Sequence, residues 1–161
     1  MDINKIIVIF GIIFALFVGV VFYQFNSKAT QVIPKPSNAT ATIDKHTFKL
    51  TVVRTQIDQE VGLSKYTSIP QDQGMLFVFP NSDTYSFWMK KMKFPIDIIF
   101  IDDDTIVTIA ENVQPPKAET DSLPTYQPDG PINKVIEISA GLSKKYNFKK
   151  GDTVELKDVE K

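Results

Sequence analysis

The sequence predicts a mainly β protein: a compact antiparallel barrel or jelly-roll-like domain with one or two short helices, preceded by a single transmembrane helix. Three observations predict this fold class. An uncharged apolar segment lies near the amino terminus, and short runs of alternating apolar and polar residues recur after residue 46. The 161-residue chain also holds ten prolines and seven glycines, many of them between those runs, where turns are expected.

Residues 1–25 are predicted to be a membrane anchor. The stretch from Ile6 to Tyr23 has no charged residue and no polar face. As a helix it spans about 27 Å, close to the ~30 Å hydrocarbon core of a bilayer. A signal peptide cleaved near residues 27–29 is the alternative, although signal peptides usually have a shorter apolar region. A short tail before a folded domain favours export, which predicts a single-pass protein of the cell membrane with an extracytoplasmic domain.

Residues 26–45 are predicted to be a flexible linker. The segment is rich in Thr, Ala, Pro and Lys and has few large apolar residues. Such a composition buries too little surface to offset the entropy lost on ordering. The remaining residues, 46–161, are assigned to one β-rich domain.

Strand periodicity dominates residues 46–161. In the first run, Phe48, Leu50 and Val52 alternate with Lys49 and Thr51. About seven strands at this spacing favour a barrel or sandwich. Further strands are predicted at residues 74–79, 85–89, 96–101, 105–110, 134–139 and 153–157.

Within residues 46–161, helices are predicted at two places only. Thr55 and Asp58 resemble a capping box at the start of a short helix that ends before Gly62. Residues 140–146 can form the second short helix. Residues 112–131 hold five prolines and are predicted to be an irregular loop, and a loop of this length is often functional.

The composition excludes several classes of function. The net charge of −1 gives no basic field for nucleic acid, and the chain has no cysteine and one histidine, so no metal site and no cofactor are predicted. His46 lies where the linker meets the first strand, which makes it a poor general base. Asp102, Asp103 and Asp104 do not alternate as calcium ligands do and are predicted to form a hairpin turn.

Two carboxylates lie inside predicted strands. Because side chains alternate along a strand, Glu137 points to the other face of the strand from Ile136 and Ile138, and it is expected to face solvent. Asp97 shares its face with isoleucines, so it needs a partner if it is buried. A structural pairing of Asp97 is favoured over catalysis, but an acid/base pair of Asp97 and Glu137 remains an alternative.

The segment from Phe87 to Lys93 contains the only tryptophan, Trp88, beside Lys90 and further lysines. Trp88 can be a core residue. The competing interpretation is an aromatic platform beside a cationic rim, suited to a sugar or to another anionic or planar ligand.

Several motifs stand in a fixed order between about Phe48 and Leu156: Gly62-Leu63, GMLFVF (74–79), FWMK (87–90), PIDIIFID (95–102), Pro115-Pro116 with a later Tyr126, VIEISAG (135–141) and Gly151-Asp152. In these motifs the chain resembles the prokaryotic family catalogued as domain of unknown function 192. That family has no established activity, and the resemblance implies a mostly antiparallel β domain in proteins that are often exported or lipid-anchored. It also implies candidate positions without roles, among them Trp88, Lys90, Asp97 and Glu137.

The chain departs from the family pattern around the Gly-Leu pair. Gln59 and Tyr66 stand where the family usually has arginines, Ser64 stands where it usually has methionine, and Lys91-Met92 replaces a common Asn-Thr. If those arginines bind an anion in other members, Lys65 or Lys90 can substitute here only in part, because a lysine lacks the bidentate guanidinium.

The sequence favours a binding module over an enzyme. The favoured hypothesis is a membrane-anchored extracytoplasmic domain that binds a small molecule or a partner of the cell envelope, with Trp88, Lys90, Asp97, Tyr126 and Glu137 as candidate ligand-binding residues. The alternatives are a hydrolase-type enzyme that uses Asp97 and Glu137, and a purely structural or assembly role. No catalytic residue is assigned, and the oligomeric state is left open.

Overall fold

The computed structural model describes residues 33–118 and 123–159. The predicted transmembrane segment from Ile6 to Tyr23 lies outside these residues. Within the described ranges, no helix is both long enough and apolar enough to cross a membrane.

The described chain is mainly β, as predicted, with two short α-helices. Helix α1 is Gln56–Val61, a 3-10 helix follows at Gly62–Lys65, and helix α2 is Leu142–Tyr146. The strands are β1 (Thr40–Ile43), β2 (His46–Val53), β3 (Gln73–Asp83), β4 (Phe87–Trp88), β5 (Ile96–Asp102), β6 (Thr105–Val113), β7 (Thr125–Tyr126), β8 (Ile132–Ser139) and β9 (Val154–Lys157).

Seven of these strands form one sheet in the order β6-β5-β8-β3-β2-β1-β9, and β4 pairs with β7 in a separate ribbon. Neighbours in the large sheet are antiparallel except β2 and β3, which are parallel. A parallel pair needs a crossover connection, and here that connection holds α1 and the 3-10 helix. The prediction of an antiparallel sheet is therefore correct except for this pair.

The sheet curls until its two edges meet at one end. The backbone N–H of Ile106, in β6, donates to the carbonyl of Asp152 (3.0 Å), and the N–H of Val154, in β9, donates to the carbonyl of Asp104 (2.7 Å). These bonds surround an isolated bridge between Thr105 and Thr153. The architecture is therefore a partly closed barrel made from a single sheet, and not a two-sheet jelly roll.

Both faces of the central strands are buried. The first apolar cluster includes Ile106 and Val154 from the two edges, so it fills the inside of the curled sheet. The second lies on the outer face of β3, β5 and β8, where Leu63, Ile69 and Met89 from the connecting segments cover it. Strands buried on both faces are expected to be almost continuously apolar, as residues 96–101 are.

Two predictions of chain organisation are wrong. Residues 26–45 were expected to be a flexible linker, but Thr40–Ile43 is strand β1, paired with β2 and β9. Ala39, Ala41 and Ile43 are fully buried, so this segment belongs to the core of the barrel. Strand β3 also runs past Pro80, because its pairing with β8 is interrupted between Val78 and Asp83 and no ladder bond is needed there.

The local turn and helix predictions are confirmed. The Thr55 side chain accepts the backbone N–H of Asp58 (3.1 Å) and donates to its carboxylate (2.7 Å), which starts α1. The turn between β5 and β6 is formed at Asp103, whose backbone has a positive φ of 53° and whose carboxylate accepts from Asn133 (2.8 Å). His46 does not lie in a flexible segment, since its ring stacks on Tyr146 at 3.7 Å.

Candidate functional site

A cavity of about 220 Å³ lies on the outer face of the sheet, between the strands and the segments that cover them. Its walls come from α1, the 3-10 helix, β3, the segment around β4, and β8. The lining residues are Gln56, Gln59, Glu60, Val61, Gly62, Leu63, Ser64, Phe77, Phe79, Tyr85, Ser86, Phe87, Trp88, Lys90, Met92 and Glu137.

The wall of the cavity next to α1 is formed by the turn that ends this helix. Gly62 adopts a φ of 45°, which is strained for a residue with a side chain, and a Cβ there would come 3.3 Å from Cζ of Phe77. The chain therefore turns close above the sheet at Gly62, and Leu63 enters the outer core. Gln59 reaches across the same gap and donates its side-chain amide to the carbonyl of Val78 (3.0 Å).

The aromatic wall is held by ring contacts between β4 and the sheet. Phe87 meets Phe77 edge-to-face at 5.2 Å and Phe100 at 5.7 Å between ring centroids. Tyr85 stacks on Phe79 at 3.8 Å. These contacts fix the segment that carries Trp88, so the position of the tryptophan does not depend on burial of its own ring.

Trp88 and Lys90 form the rim of the cavity. Trp88 is 50% exposed, so the interpretation of this residue as part of the core is wrong. The competing interpretation, an aromatic platform for a ligand, stays a prediction. The Lys90 ammonium lies 5.9 Å from the centre of the Trp88 ring, within the range of a cation–π contact.

Glu137 forms the floor of the cavity and is buried, so the expectation that it faces solvent is wrong. In the sheet it lies directly opposite Met75 on β3 and Ile98 on β5. Its Oε2 atom has no hydrogen-bond partner in the described part of the chain. Burial among these apolar neighbours raises the pKa of Glu137 to about 8, so the group is mainly a neutral carboxylic acid at pH 7.

Asp97 is fully buried but lies on the other face of the sheet. It is opposite Ile138 in the register, while Glu137 is opposite Ile98, and directly opposed residues share a face. The alternative hypothesis, an acid/base pair of Asp97 and Glu137, is therefore wrong, because the sheet separates the two side chains.

Three backbone N–H groups satisfy the Asp97 carboxylate. Asn112 and Gly141 donate to Oδ1 (2.7 and 2.9 Å), and Ser143 donates to Oδ2 (2.8 Å). The aspartate thereby joins a bulged position of β6 to the first turn of α2. This arrangement agrees with the structural pairing that the sequence favoured, with backbone amides as the partners.

Of the five candidate ligand-binding residues, the structure brings three together at the cavity: Trp88, Lys90 and Glu137. Tyr126 lies opposite Phe87 in the β4–β7 ribbon and packs against the outer core instead of lining the cavity. Asp97 lies across the sheet.

Sequence reasoning missed Gln59 and Ser64 as cavity residues. The available signal was that both are positions where the chain departs from the family pattern. Among the other such positions, Tyr66 is buried in the outer core, Met92 also lines the cavity, and Lys91 lies outside the lining of the cavity.

A second, wider hollow of about 730 Å³ adjoins the cavity and shares Ser64, Lys90 and Met92 with it. We call this hollow the lysine groove. Two of its lining residues, Ala118 and Leu123, flank the undescribed segment 119–122, whose sequence contains Glu119 and Asp121. The lining residues are Ser64, Lys65, Lys90, Lys91, Met92, Lys93, Pro116, Lys117, Ala118 and Leu123.

Across residues 33–118 and 123–159, no group of three or more His, Asp or Glu side chains is placed to hold a metal ion.

Comparison with known proteins identifies the fold but no activity. A crystal structure of a protein of unknown function from Novosphingobium aromaticivorans shares 31% identity and superposes with a TM-score of 0.66, covering 79% of this chain and 93% of that one. A protein from Sinorhizobium meliloti, described as a candidate transcription regulator, shares 28% identity with a TM-score of 0.63, covering 73% of this chain and 90% of that one. No curated protein matches.

The family comparison covers most of the described chain. Residues 39–156 match domain of unknown function 192, a family described as "Uncharacterized ACR". This range begins before the resemblance seen in the sequence and includes β1. It confirms that resemblance, and the chain belongs to the family of domain of unknown function 192.

Proposed function

We propose that this protein is a membrane-anchored ligand-binding domain of the cell envelope, whose cavity between Trp88 and Glu137 holds a small molecule. One observation carries the binding role. A buried carboxyl oxygen without a described partner lies at the floor of a cavity whose rim is a half-exposed tryptophan. Buried polar groups in proteins nearly always have a partner, so an unpartnered one that lines a cavity supports the binding of a molecule there.

The membrane anchor rests on the amino-terminal sequence. The segment from Ile6 to Tyr23 is uncharged and long enough to span a bilayer, and the family resemblance implies export or anchoring. The β-rich domain follows this segment in the sequence.

Ligand binding is tested by fluorescence of Trp88, because the chain contains no other tryptophan. The full chain is reconstituted in lipid nanodiscs and titrated with a set of single-ring fragments. We expect a subset of fragments to shift or quench the Trp88 emission with saturable curves.

A cavity-filling variant, Ser64→Phe, locates the binding. It is expected to abolish the response, whereas Gln71→Phe, at an exposed turn outside the lining, preserves it. The binding role is wrong if no fragment gives a saturable response, or if Ser64→Phe binds as wild type does.

The anchor is tested by cell fractionation and protease accessibility. We expect the full chain in the membrane fraction, with the β domain digested when protease is added outside the cytoplasmic membrane. A variant that lacks residues 1–25 is expected to leave the membrane fraction. Recovery of the intact chain in the soluble fraction would contradict the anchor, and a domain protected in intact spheroplasts would contradict export.

A further inference from the structure

We infer that the cavity takes a small organic cation, with a primary ammonium group that donates to Glu137 at the floor and an apolar body that fits between the aromatic rings. This inference rests on the proposed function and specifies the chemistry of the ligand. It combines the floor of the cavity, its aromatic walls and the position of Lys90 at the rim.

The floor of the cavity lacks both a hydrogen-bond donor and a positive charge. Oε2 of Glu137 is buried and has no partner in the described part of the chain. None of the ion pairs between described residues includes Glu137, and its cross-strand neighbours Met75 and Ile98 are apolar. A protonated amine supplies what is missing, because its N–H groups donate hydrogen bonds and its charge compensates a carboxylate.

The walls of the cavity favour a cation with an apolar body. The face of an aromatic ring carries partial negative charge, so it attracts an ammonium group while its area covers alkyl or aryl carbon. The volume of about 220 Å³ is below the roughly 300–1,000 Å³ of pockets that hold drug-sized molecules, so the space suits an amine with at most one ring. The aromatic residues of the lining are Phe77, Phe79, Tyr85, Phe87 and Trp88.

Lys90 places one cation of the chain itself at the rim and not at the floor. Its ammonium lies 5.9 Å from the centre of the Trp88 ring. It forms no ion pair with Glu137, so the floor stays without a countercharge although a lysine lines the same cavity.

The described lining of the cavity has more acidic than basic residues. Glu60 and Glu137 are acidic, and Lys90 is the one basic residue among the described lining residues. The other lysines of the lysine groove lie outside this lining. Segment 119–122, outside the described residues, contains Glu119 and Asp121 and no basic residue in its sequence, so it adds no positive charge to the site.

Binding of an ammonium ion is expected to release a proton from Glu137. Burial raises the pKa of Glu137 to about 8, so the carboxyl group is mainly protonated at pH 7 while the cavity is empty. An ammonium ion within hydrogen-bond distance lowers this pKa, because an opposite charge favours the carboxylate. The proton passes to solvent as the ammonium binds, and the affinity therefore depends on pH.

Three probes that share one ring test the charge of the ligand. At pH 7 benzylamine is a cation, benzyl alcohol is neutral with a hydroxyl in the same place, and benzoate is an anion. The full chain in an uncharged maltoside detergent is titrated with each probe and followed by Trp88 fluorescence. We expect benzylamine to bind about tenfold more tightly than benzyl alcohol, since hydrogen bonds between charged groups are the stronger ones, and benzoate to bind most weakly.

The floor is tested by Glu137→Gln and Glu137→Leu. Both variants are expected to bind benzylamine no more tightly than benzyl alcohol, because neither has a carboxylate. Glu60→Gln is the matched control, since Glu60 is an exposed residue of the same lining and is expected to matter little. Equal losses of benzylamine affinity in Glu60→Gln and Glu137→Gln, or an unchanged preference for benzylamine in both Glu137 variants, would overturn the assignment of the ammonium to Glu137.

The release of a proton is tested by the pH dependence of affinity. Between pH 6 and pH 7 the affinity of wild type for benzylamine is expected to rise about tenfold, because the ionised fraction of Glu137 rises about tenfold below its pKa. Glu137→Gln is expected to show no such rise, and it keeps the other titratable side chains of the described lining, Glu60, Tyr85 and Lys90. The same pH profile in wild type and in Glu137→Gln would contradict a contact between the ammonium and Glu137.

The rim is tested by Lys90→Met. Loss of the Lys90 ammonium is expected to tighten benzylamine binding about threefold, because a second cation no longer competes for the Trp88 ring. Lys144→Met changes an exposed lysine outside the lining by the same charge and is expected to have no effect. Weaker benzylamine binding in Lys90→Met than in Lys144→Met would contradict a cation site.

An ammonium group can belong to a free amine or to a lipid headgroup, and two lipids distinguish these sources. The headgroup of phosphatidylethanolamine ends in a primary ammonium, whereas that of phosphatidylcholine has no N–H to donate, and both lipids are zwitterionic. Occupation by a headgroup predicts weaker benzylamine binding in nanodiscs that contain phosphatidylethanolamine. A free amine as the ligand predicts the same affinity in both lipids.

The outcomes separate this inference from the proposed function. If other fragments shift the Trp88 emission while benzylamine binds no more tightly than benzyl alcohol, the ligand class is wrong and the binding role stands. If nothing shifts the Trp88 emission, the binding role itself fails.

Discussion

The two faces of the sheet at β5 and β8 carry one buried carboxyl group each, and their environments are opposite. Asp97, on the inner face, accepts three backbone N–H bonds. Glu137, on the outer face, has an oxygen without a described partner and lines a cavity. The two residues are nearly adjacent in the register and similar in chemistry. The comparison shows that burial alone does not indicate function. A buried carboxyl group that accepts hydrogen bonds from nearby N–H groups is structural, whereas one that lacks such donors and lines a cavity is a candidate binding group.

The largest effect is expected for Asp97→Ala. Its removal leaves three backbone N–H groups without their acceptor, and hydrogen bonds to charged groups each contribute about 1.5–3 kcal/mol. We expect the free energy of unfolding to fall by about 5 kcal/mol, measured by urea denaturation followed by Trp88 fluorescence. Asp72→Ala is the control, because its ion pair with Lys49 is exposed and contributes at most about 1 kcal/mol. Similar losses of stability in both variants would contradict the structural role of Asp97, on which the contrast between the two faces depends.

Glu137→Gln is expected to stabilise the protein at alkaline pH. The pKa is about 8 in the folded chain and near 4.5 when exposed, so between these values the folded state binds more protons than the unfolded state. Wild-type stability therefore falls as pH rises from about 4.5 to 8, by up to about 5 kcal/mol, since one pKa unit corresponds to about 1.4 kcal/mol.

The stability of the glutamine variant does not fall in this way, because glutamine does not ionise. The difference in the free energy of unfolding between the variant and wild type is therefore expected to grow with pH and to level off above pH 8. Urea denaturation at several pH values measures it. A difference in stability that is the same at pH 5 and pH 8 would show that Glu137 keeps its charge in the folded protein.

The smallest effect on stability is expected for Trp88→Ala, and Phe87→Ala is its matched comparison. Phe87 packs edge-to-face on Phe77 and Phe100, so its loss is expected to cost about 3 kcal/mol of stability. Trp88 is half exposed, and its loss is expected to cost less than about 1 kcal/mol while weakening fragment binding. Ligand-observed NMR measures the binding, since Trp88→Ala removes the fluorescent reporter. A large stability loss for Trp88→Ala would make the tryptophan a structural residue.

Much of the fold could be predicted because its signals are local. The alternation of apolar and polar residues at positions 48–52 predicted β2, and the capping residues Thr55 and Asp58 predicted the start of α1. Strand β1 could not be predicted, because its small residues gain their burial only from β2 and β9. The parallel pairing of β2 with β3 depends on where the crossover packs, which the pattern of either strand does not encode.

The candidate site was predictable in part. Trp88 and Lys90 were found because an aromatic residue next to a run of lysines is conspicuous in the sequence. Glu137 was expected to be solvated, because alternation in β8 distinguishes two faces but does not tell which of them is covered. The segments 62–69 and 85–94, distant in sequence, supply that cover.

The sequence by itself determined the mainly β class, most of the strand and helix positions, the family and the apolar amino-terminal segment, because each depends on neighbouring residues or on motifs in fixed order. Only the tertiary structure decided that Asp97 and Glu137 lie on opposite faces, that Glu137 is buried, and that Trp88 stays half exposed above it. The physical reason is that burial and hydrogen-bond supply are set by whatever packs against a strand, and those contacts come from segments far away in the chain.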